Sequence, residues 1–216
     1  MSTDAPDRLT ASFSDLTAYA RLRETAMRMF AEHGFEGVSL RAIARDAGVS
    51  APLVTHHFGS KEGLREAVDE HLLQIIGREL DQRHFDPAVK PEDLVAELGR
   101  VTARLIGLDG ATRGYLRRVL LDGGPAGEAM FRRLVDGTRR QLEKLAAAGR
   151  LGPEADPVWS SYQVLFLILG PLLLEPVMRR TFGRDVFEAD LVADRSLANQ
   201  RLLETGLFRP ADSDRE

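Results

Sequence analysis

The chain has 216 residues, 44% of them hydrophobic but only 6% aromatic; it carries 29 Lys and Arg against 33 Asp and Glu, a formal net charge of −4, and no cysteine. That length can bury a core unaided and suits one or two ordinary domains, while the missing cysteine excludes disulfides, thiol catalysis and Cys-ligated zinc and fits a reducing, cytoplasmic setting. No basic, apolar leader opens the sequence, so export is not expected. The acidity lies in the C-terminal part, because residues 1–65 carry eight basic and eight acidic side chains. A neutral head is a faint footprint for a nucleic-acid partner. Long stretches rich in Ala, Leu, Arg and Glu at helical spacing predict an all-α protein.

Residues 1–13 mix Ser, Thr, Asp and Pro without a period and are expected to form a disordered arm. From Ser14 to His33, the recurrence of Leu22, Ala26, Met29 and Phe30 predicts an amphipathic helix with Arg21, Arg23, Glu24, Arg28 and Glu32 on its other face and Gly34 as its stop. Ser39 is placed to cap a second helix, Leu40–Ala47, which Gly48 ends. Ser50 is placed to cap a third, with Pro52 in its first turn, where a missing N–H breaks no helical hydrogen bond. Two short helices joined by a tight turn containing glycine match the helix-turn-helix unit, with Ile43, Ala44, Val49, Leu53 and Val54 at the contact. The second helix of such a unit enters the major groove of DNA.

The run Phe30-Ala31-Glu32-His33-Gly34-Phe35-Glu36-Gly37-Val38-Ser39-Leu40-Arg41-Ala42-Ile43-Ala44-Arg45-Asp46-Ala47-Gly48-Val49-Ser50, followed by His57-Phe58-Gly59-Ser60-Lys61-Glu62-Gly63-Leu64, resembles the N-terminal DNA-binding domain of TetR-family transcriptional regulators. The resemblance implies a three-helix helix-turn-helix domain over 14–61, a helical effector-binding and dimerisation domain over 62–208, and a flexible tail over 209–216. It also implies a homodimeric repressor on a palindromic operator in double-stranded DNA, released by a small apolar or amphipathic effector. Such a protein is not an enzyme and needs no cofactor. The chain departs from the family where members often carry Gly and Tyr, at Pro52 and Thr55 respectively. Thr55 keeps a hydroxyl that can reach a phosphate but lacks the ring's reach and stacking area.

Neighbouring helical residues point about 100° apart, so His56 and His57 do not converge on one metal, and neither H-x-x-x-H nor H-E-x-x-H spacing occurs. No metal is expected. One reading packs His57 against Phe58 and the first helix and leaves His56 solvated; the other, implied by the resemblance, has both donating to DNA phosphates. Ser39 and Ser50 combine capping with phosphate contact, since both hydroxyls stand at exposed helix N-termini. Arg41 is a candidate for a phosphate or a guanine edge. Ala51, Pro52 and Thr55 form the exposed face of the third helix, with apolar contact to a thymine methyl open to Ala51 and Pro52. Lys61, following the Ser60 cap, is expected to meet a phosphate.

Beyond Lys61, Pro and Gly punctuate further helices: Glu62 to about Arg83, Pro91 to about Leu108, Ala111 to Leu121, Ala126 to Ala148, a strongly apolar one from Pro157 to about Arg180, and Glu188 to Leu203. The run Val164–Leu174 is too short to span a membrane, which takes roughly 20 apolar residues, and no membrane partner is expected. It needs a cover, which Leu191, Ala198 and Leu202 on the last helix supply if two copies form a four-helix interface. Pro171 is expected to kink or split its helix. Tyr115, Phe131, Trp159, Tyr162 and Phe166 are the expected walls of an effector pocket, although core packing accounts for them equally. The rival reading is a ligand-sequestering helical protein with a vestigial DNA-binding head, motivated by the absent tyrosine and the neutral head.

Overall fold

The computed structural model describes residues 5–81, 109–147, 149, 151–153, 155, 156 and 158–206. The helix expected from Pro91 to Leu108 and the tail over 209–216 lie outside the described residues. Among these residues the regular elements are α-helices: α1 (Ala5–His33), α2 (Leu40–Asp46), α3 (Ala51–Phe58), α4 (Lys61–Asp81), α5 (Gly110–Asp122), α6 (Pro125–Ala147), α7 (Trp159–Leu173), α8 (Glu175–Phe182) and α9 (Ala189–Gly206). The protein is all-α, as its composition predicts.

The arm expected over residues 1–13 is corrected in part. The first helix begins at Ala5, not Ser14; Pro6 falls in its first turn, where a missing N–H is harmless.

The chain forms two compact units. Of the described residues, the first holds 5–74 and 109–118, the second 75–81 and those from 119 to 206. This differs from a boundary at 61/62, and burial explains why. Leu64, Val68 and Leu72 of α4 and Tyr115 and Leu116 of α5 are as buried as Leu22, Ala26 and Phe30 of α1, Ile43 and Ala44 of α2 and Val54 of α3. Two more helices therefore belong to the first unit's core than the helix-turn-helix pattern contains. Met27 is buried whereas Met29, expected in the core, is only half-buried.

In the second unit α6 packs on α7; Met130, Leu134, Val135, Leu142 and Leu145 of α6 are buried, as are Val164, Leu165, Ile168, Leu169 and Leu172 of α7. Gly127, Met130, Leu134, Thr138, Leu142 and Leu145 recur at three- and four-residue steps, so one buried stripe runs along α6. The Asp156 carboxylate accepts from the Val158 and Trp159 N–H groups at 2.9 and 2.7 Å at the start of α7. Pro171 does not split the helix. It lies inside α7, which ends at Leu173, and α8 leaves at a 71° bend. The break falls where a continued helix would drive the Pro176 ring into the Leu172 carbonyl; restarting the chain puts Pro176 in the first turn of α8 instead.

Candidate nucleic-acid interface

The turn between α2 and α3 is fixed by backbone bonds. The Val49 N–H donates to the Ala44 carbonyl at 2.9 Å and the Gly48 N–H to the Arg45 carbonyl at 3.2 Å, with Gly48 at φ 66°. This is the Schellman arrangement, which closes α2 and sets the angle at which α3 departs. Arg28 of α1 pairs with Asp46 at the end of α2, and Tyr19 of α1 stacks on Phe58 of α3 with centroids 4.6 Å apart. Both helices of the pair are thus held to α1.

On α3, Pro52, Thr55 and His56 are exposed and Ala51 half-exposed, whereas Val54 is fully buried and Leu53 half-buried. Steps of three and four residues put Pro52, Thr55 and His56 on one face. Ser50 stands exposed at its N-terminus with extended backbone, but its side chain makes no capping bond. The capping expected of Ser50 is thereby corrected: Pro52 already removes one donor from the first turn, and the hydroxyl is not spent on the helix. Ser39 does cap, accepting from the Ala42 N–H at 3.2 Å, and Arg41 is exposed in the turn that follows.

The two histidines part. His56 is exposed, while the His57 ring is half-buried, edge-on to Tyr19 at 5.7 Å and near Phe58 at 5.9 Å. These are the ring contacts that the packing reading expects of His57. Their centroids lie 5.6 Å apart, and among the described residues no cluster of three or more His, Asp or Glu side chains suits a metal ion.

The corner between α3 and α4 is sharp. The Ser60 N–H donates to the Phe58 carbonyl at 2.8 Å across Gly59, whose φ of 72° and ψ of −59° define the strained γ-turn that glycine adopts most readily. Ser60 Oγ then accepts from the Gly63 N–H at 3.1 Å. Gly63 itself admits no side chain: a Cβ there would lie 2.1 Å from the Phe58 carbonyl oxygen. Lys61, half-buried, holds its Nζ 4.3 Å above the centre of the Phe35 ring. The Arg65 guanidinium carbon lies 4.9 Å from the same centre. Phe35, Arg65 and Asp69 were not legible as site residues, because Phe35 sits in a loop without periodicity and the other two look like ordinary surface charges of a helix.

The expected effector residues separate. Phe131, Tyr162, Trp159 and Phe166 form a chain of rings in the second unit, Tyr162 lying 6.2, 5.6 and 6.2 Å from the other three. Tyr115 is a correction, since it is a core residue of the first unit, 3% exposed, with its hydroxyl donating to Asp69 Oδ1 at 2.6 Å. Trp159 and Phe166 are more than half exposed, so the ring chain faces outward. Of the expected interface residues, Leu191 is half-buried while Ala198 and Leu202 are exposed. Among the described residues no single helix is long and apolar enough to cross a membrane.

An α2–turn–α3 pair braced on α1, with a polar face on α3 and cations at the start of α4, defines the helix-turn-helix class. The profile for bacterial regulatory proteins of the tetR family matches residues 22–68, and that for the tetracyclin repressor-like C-terminal domain matches residues 110–209. The HTH-type transcriptional regulatory protein RaaS of Mycobacterium tuberculosis is 40% identical over 144 residues, 67% of this chain. The chain spans less than two thirds of the length of the curated relatives it matches, 64% for RaaS. A TetR family transcriptional regulator from Pseudomonas syringae superposes with a TM-score of 0.65 at 21% identity, covering 88% of this chain and 97% of its own. A Saccharomonospora viridis protein in complex with choline gives 0.67 at 18%, covering 89% and 98%. At these identities the structures establish the fold alone. The chain belongs to the TetR family of bacterial transcriptional regulators.

Proposed function

We propose that the chain is a sequence-specific DNA-binding repressor that acts as a homodimer, each copy placing α3 in the major groove at one half of a palindromic operator. The observation that carries this reading is the outward face of α3: Ser50, Pro52, Thr55 and His56 stand exposed on a helix whose other side is anchored by Val54 and Phe58. A helix held on one side and polar on the other is what groove entry requires. Ser39, Arg41 and Lys61 flank that face as phosphate contacts that fix register, with Arg41 also able to reach a guanine edge. Ala51 and Pro52 offer apolar contact to thymine methyls, and His57 supports the helix from behind.

Dimerisation falls to the second unit, where Leu174, Val177, Phe182, Leu197 and Leu202 leave large apolar side chains in solvent. Exposed apolar groups on this scale mark an interaction surface, and a second copy covers them. The ring chain of Phe131, Trp159, Tyr162 and Phe166 supports a site for an apolar or amphipathic effector, as does the choline complex of the S. viridis protein. Both α4 and α5 start in the first unit and end in the second. A displacement of α4 on effector binding changes the spacing of the two reading helices and releases the operator.

The test is selection of duplexes from a random pool by the purified full chain. Two inverted half-sites whose centres lie about 34 Å apart, or a multiple of that, are expected. Failure to retain any duplex at low salt would leave the ligand-sequestering reading in its place.

A further inference from the structure

Two cations share one aromatic ring at the corner next to the reading helix. Lys61 and Arg65 are one turn apart on α4, and both stand over Phe35, at 4.3 and 4.9 Å from its centre. Like charges at this spacing repel, so the pairing does not serve helix stability; the negative face of the ring offsets part of the repulsion. Arg65 Nε lies 3.8 Å from Asp69 Oδ2, longer than the contacts of a bidentate fork, and the Arg65 side chain also hydrogen-bonds Tyr115. Asp69 turns its other oxygen to the Tyr115 hydroxyl, at 2.6 Å. Tyr115 is buried against Phe30, with centroids 6.3 Å apart. The sequence of contacts Phe30, Tyr115, Asp69, Arg65 therefore runs from the unit's core to the cation pair and fixes where the guanidinium stands.

We propose that Arg65 joins Lys61 in gripping one phosphate diester of duplex DNA, and that Asp69 and Tyr115 are positioning residues for that grip. The proposal rests on the DNA-binding reading above. It commits to a backbone phosphate because a planar fork beside a point charge fits tetrahedral phosphate oxygens. The site is also one γ-turn from the end of the reading helix, where strand contacts set register.

The test measures the affinity of the full chain for a mixed-sequence duplex and for a pool-selected duplex across a salt series, with thermal melting of each variant alongside. Arg65→Gln keeps the aliphatic stem and is expected to weaken both duplexes about fivefold or more and to lower the salt slope by about one. Tyr115→Phe keeps the ring on Phe30, should weaken both about threefold, and should cause no further loss when Arg65 is already Gln. Unchanged affinity and slope in Arg65→Gln would overturn the grip. A Tyr115→Phe loss that persists in full beside Arg65→Gln would overturn the positioning role, since that loss would come from elsewhere in the core. If the wild-type chain holds neither duplex, the DNA-binding reading itself falls, an outcome distinct from either variant result.

Discussion

Lys61 and Arg41 are expected to fail differently when removed. Lys61→Ala deletes a charge at a corner that touches backbone only, so binding should weaken alike on every duplex, with the salt slope shallower by about one. Arg41→Ala, on the exposed first turn of α2, should also relax base preference; equal, sequence-blind losses measured by gel shift on operator variants would remove Arg41 from the reading set. Asp69 carries a pH signature. Burial raises its carboxyl above the ordinary range and Glu66 adds to this, while the Tyr115 hydroxyl and Arg65 oppose it. A raised folded value means the folded state holds the proton more tightly, so this contribution to stability is complete below the unfolded value, about 4, and is lost as pH rises through the folded one. Asp69→Asn should therefore melt above the wild type at neutral pH, with the gap closing on acidification. A gap that widens in acid would reverse the assignment. The Ser39 cap and the places of Arg41 and Lys61 in the first turns of α2 and α4 were legible because such positions have local signatures. The role of His57 was not, since which neighbour of an adjacent pair faces inward depends on where Tyr19 arrives from α1.

At the scale of elements, the corner from α3 to α4 is the most constrained part of the head. Gly59→Ala places a Cβ on a backbone conformation costing about 1–3 kcal/mol. Gly63→Ala presses a methyl group into the Phe58 carbonyl, an overpacking cost of about 1–3 kcal/mol unless α3 shifts. Both should lower the melting temperature, and a crystal structure of the Gly63 variant should find the end of α3 moved away from α4. Retention of wild-type stability and affinity by both would mean that the corner tolerates what its geometry forbids. The helix-turn-helix itself was readable from caps, glycines and Pro52, all of which act within a few residues. The α7–α8 break was misplaced at Pro171, because two prolines five residues apart compete and only the conflict between Pro176 and Leu172 settles which one ends the helix.

For the whole molecule, the exposed apolar side chains from Leu174 to Leu202 predict a dimer in sedimentation at micromolar concentration. Leu202→Glu, at a residue 58% exposed within one copy, should shift the chain toward monomer. Affinity for a palindrome should then fall far more than affinity for a single half-site. A monomeric wild type would overturn the dimer, and a Leu202→Glu variant that stays dimeric would move the interface elsewhere. Membership of the first unit shows where local reading stops: Tyr115 looked like a pocket aromatic beside Phe131 and Tyr162, yet it packs on Phe30 and bonds Asp69. The sequence by itself determined the all-helical character, the Ser39 cap and the helix-turn-helix, because those depend on backbone chemistry and side-chain period over a few residues. Only the tertiary structure decided which rings share a core, which cations share Phe35 and which helices join the head, because such contacts bring together residues far apart in the chain, and no local period records them.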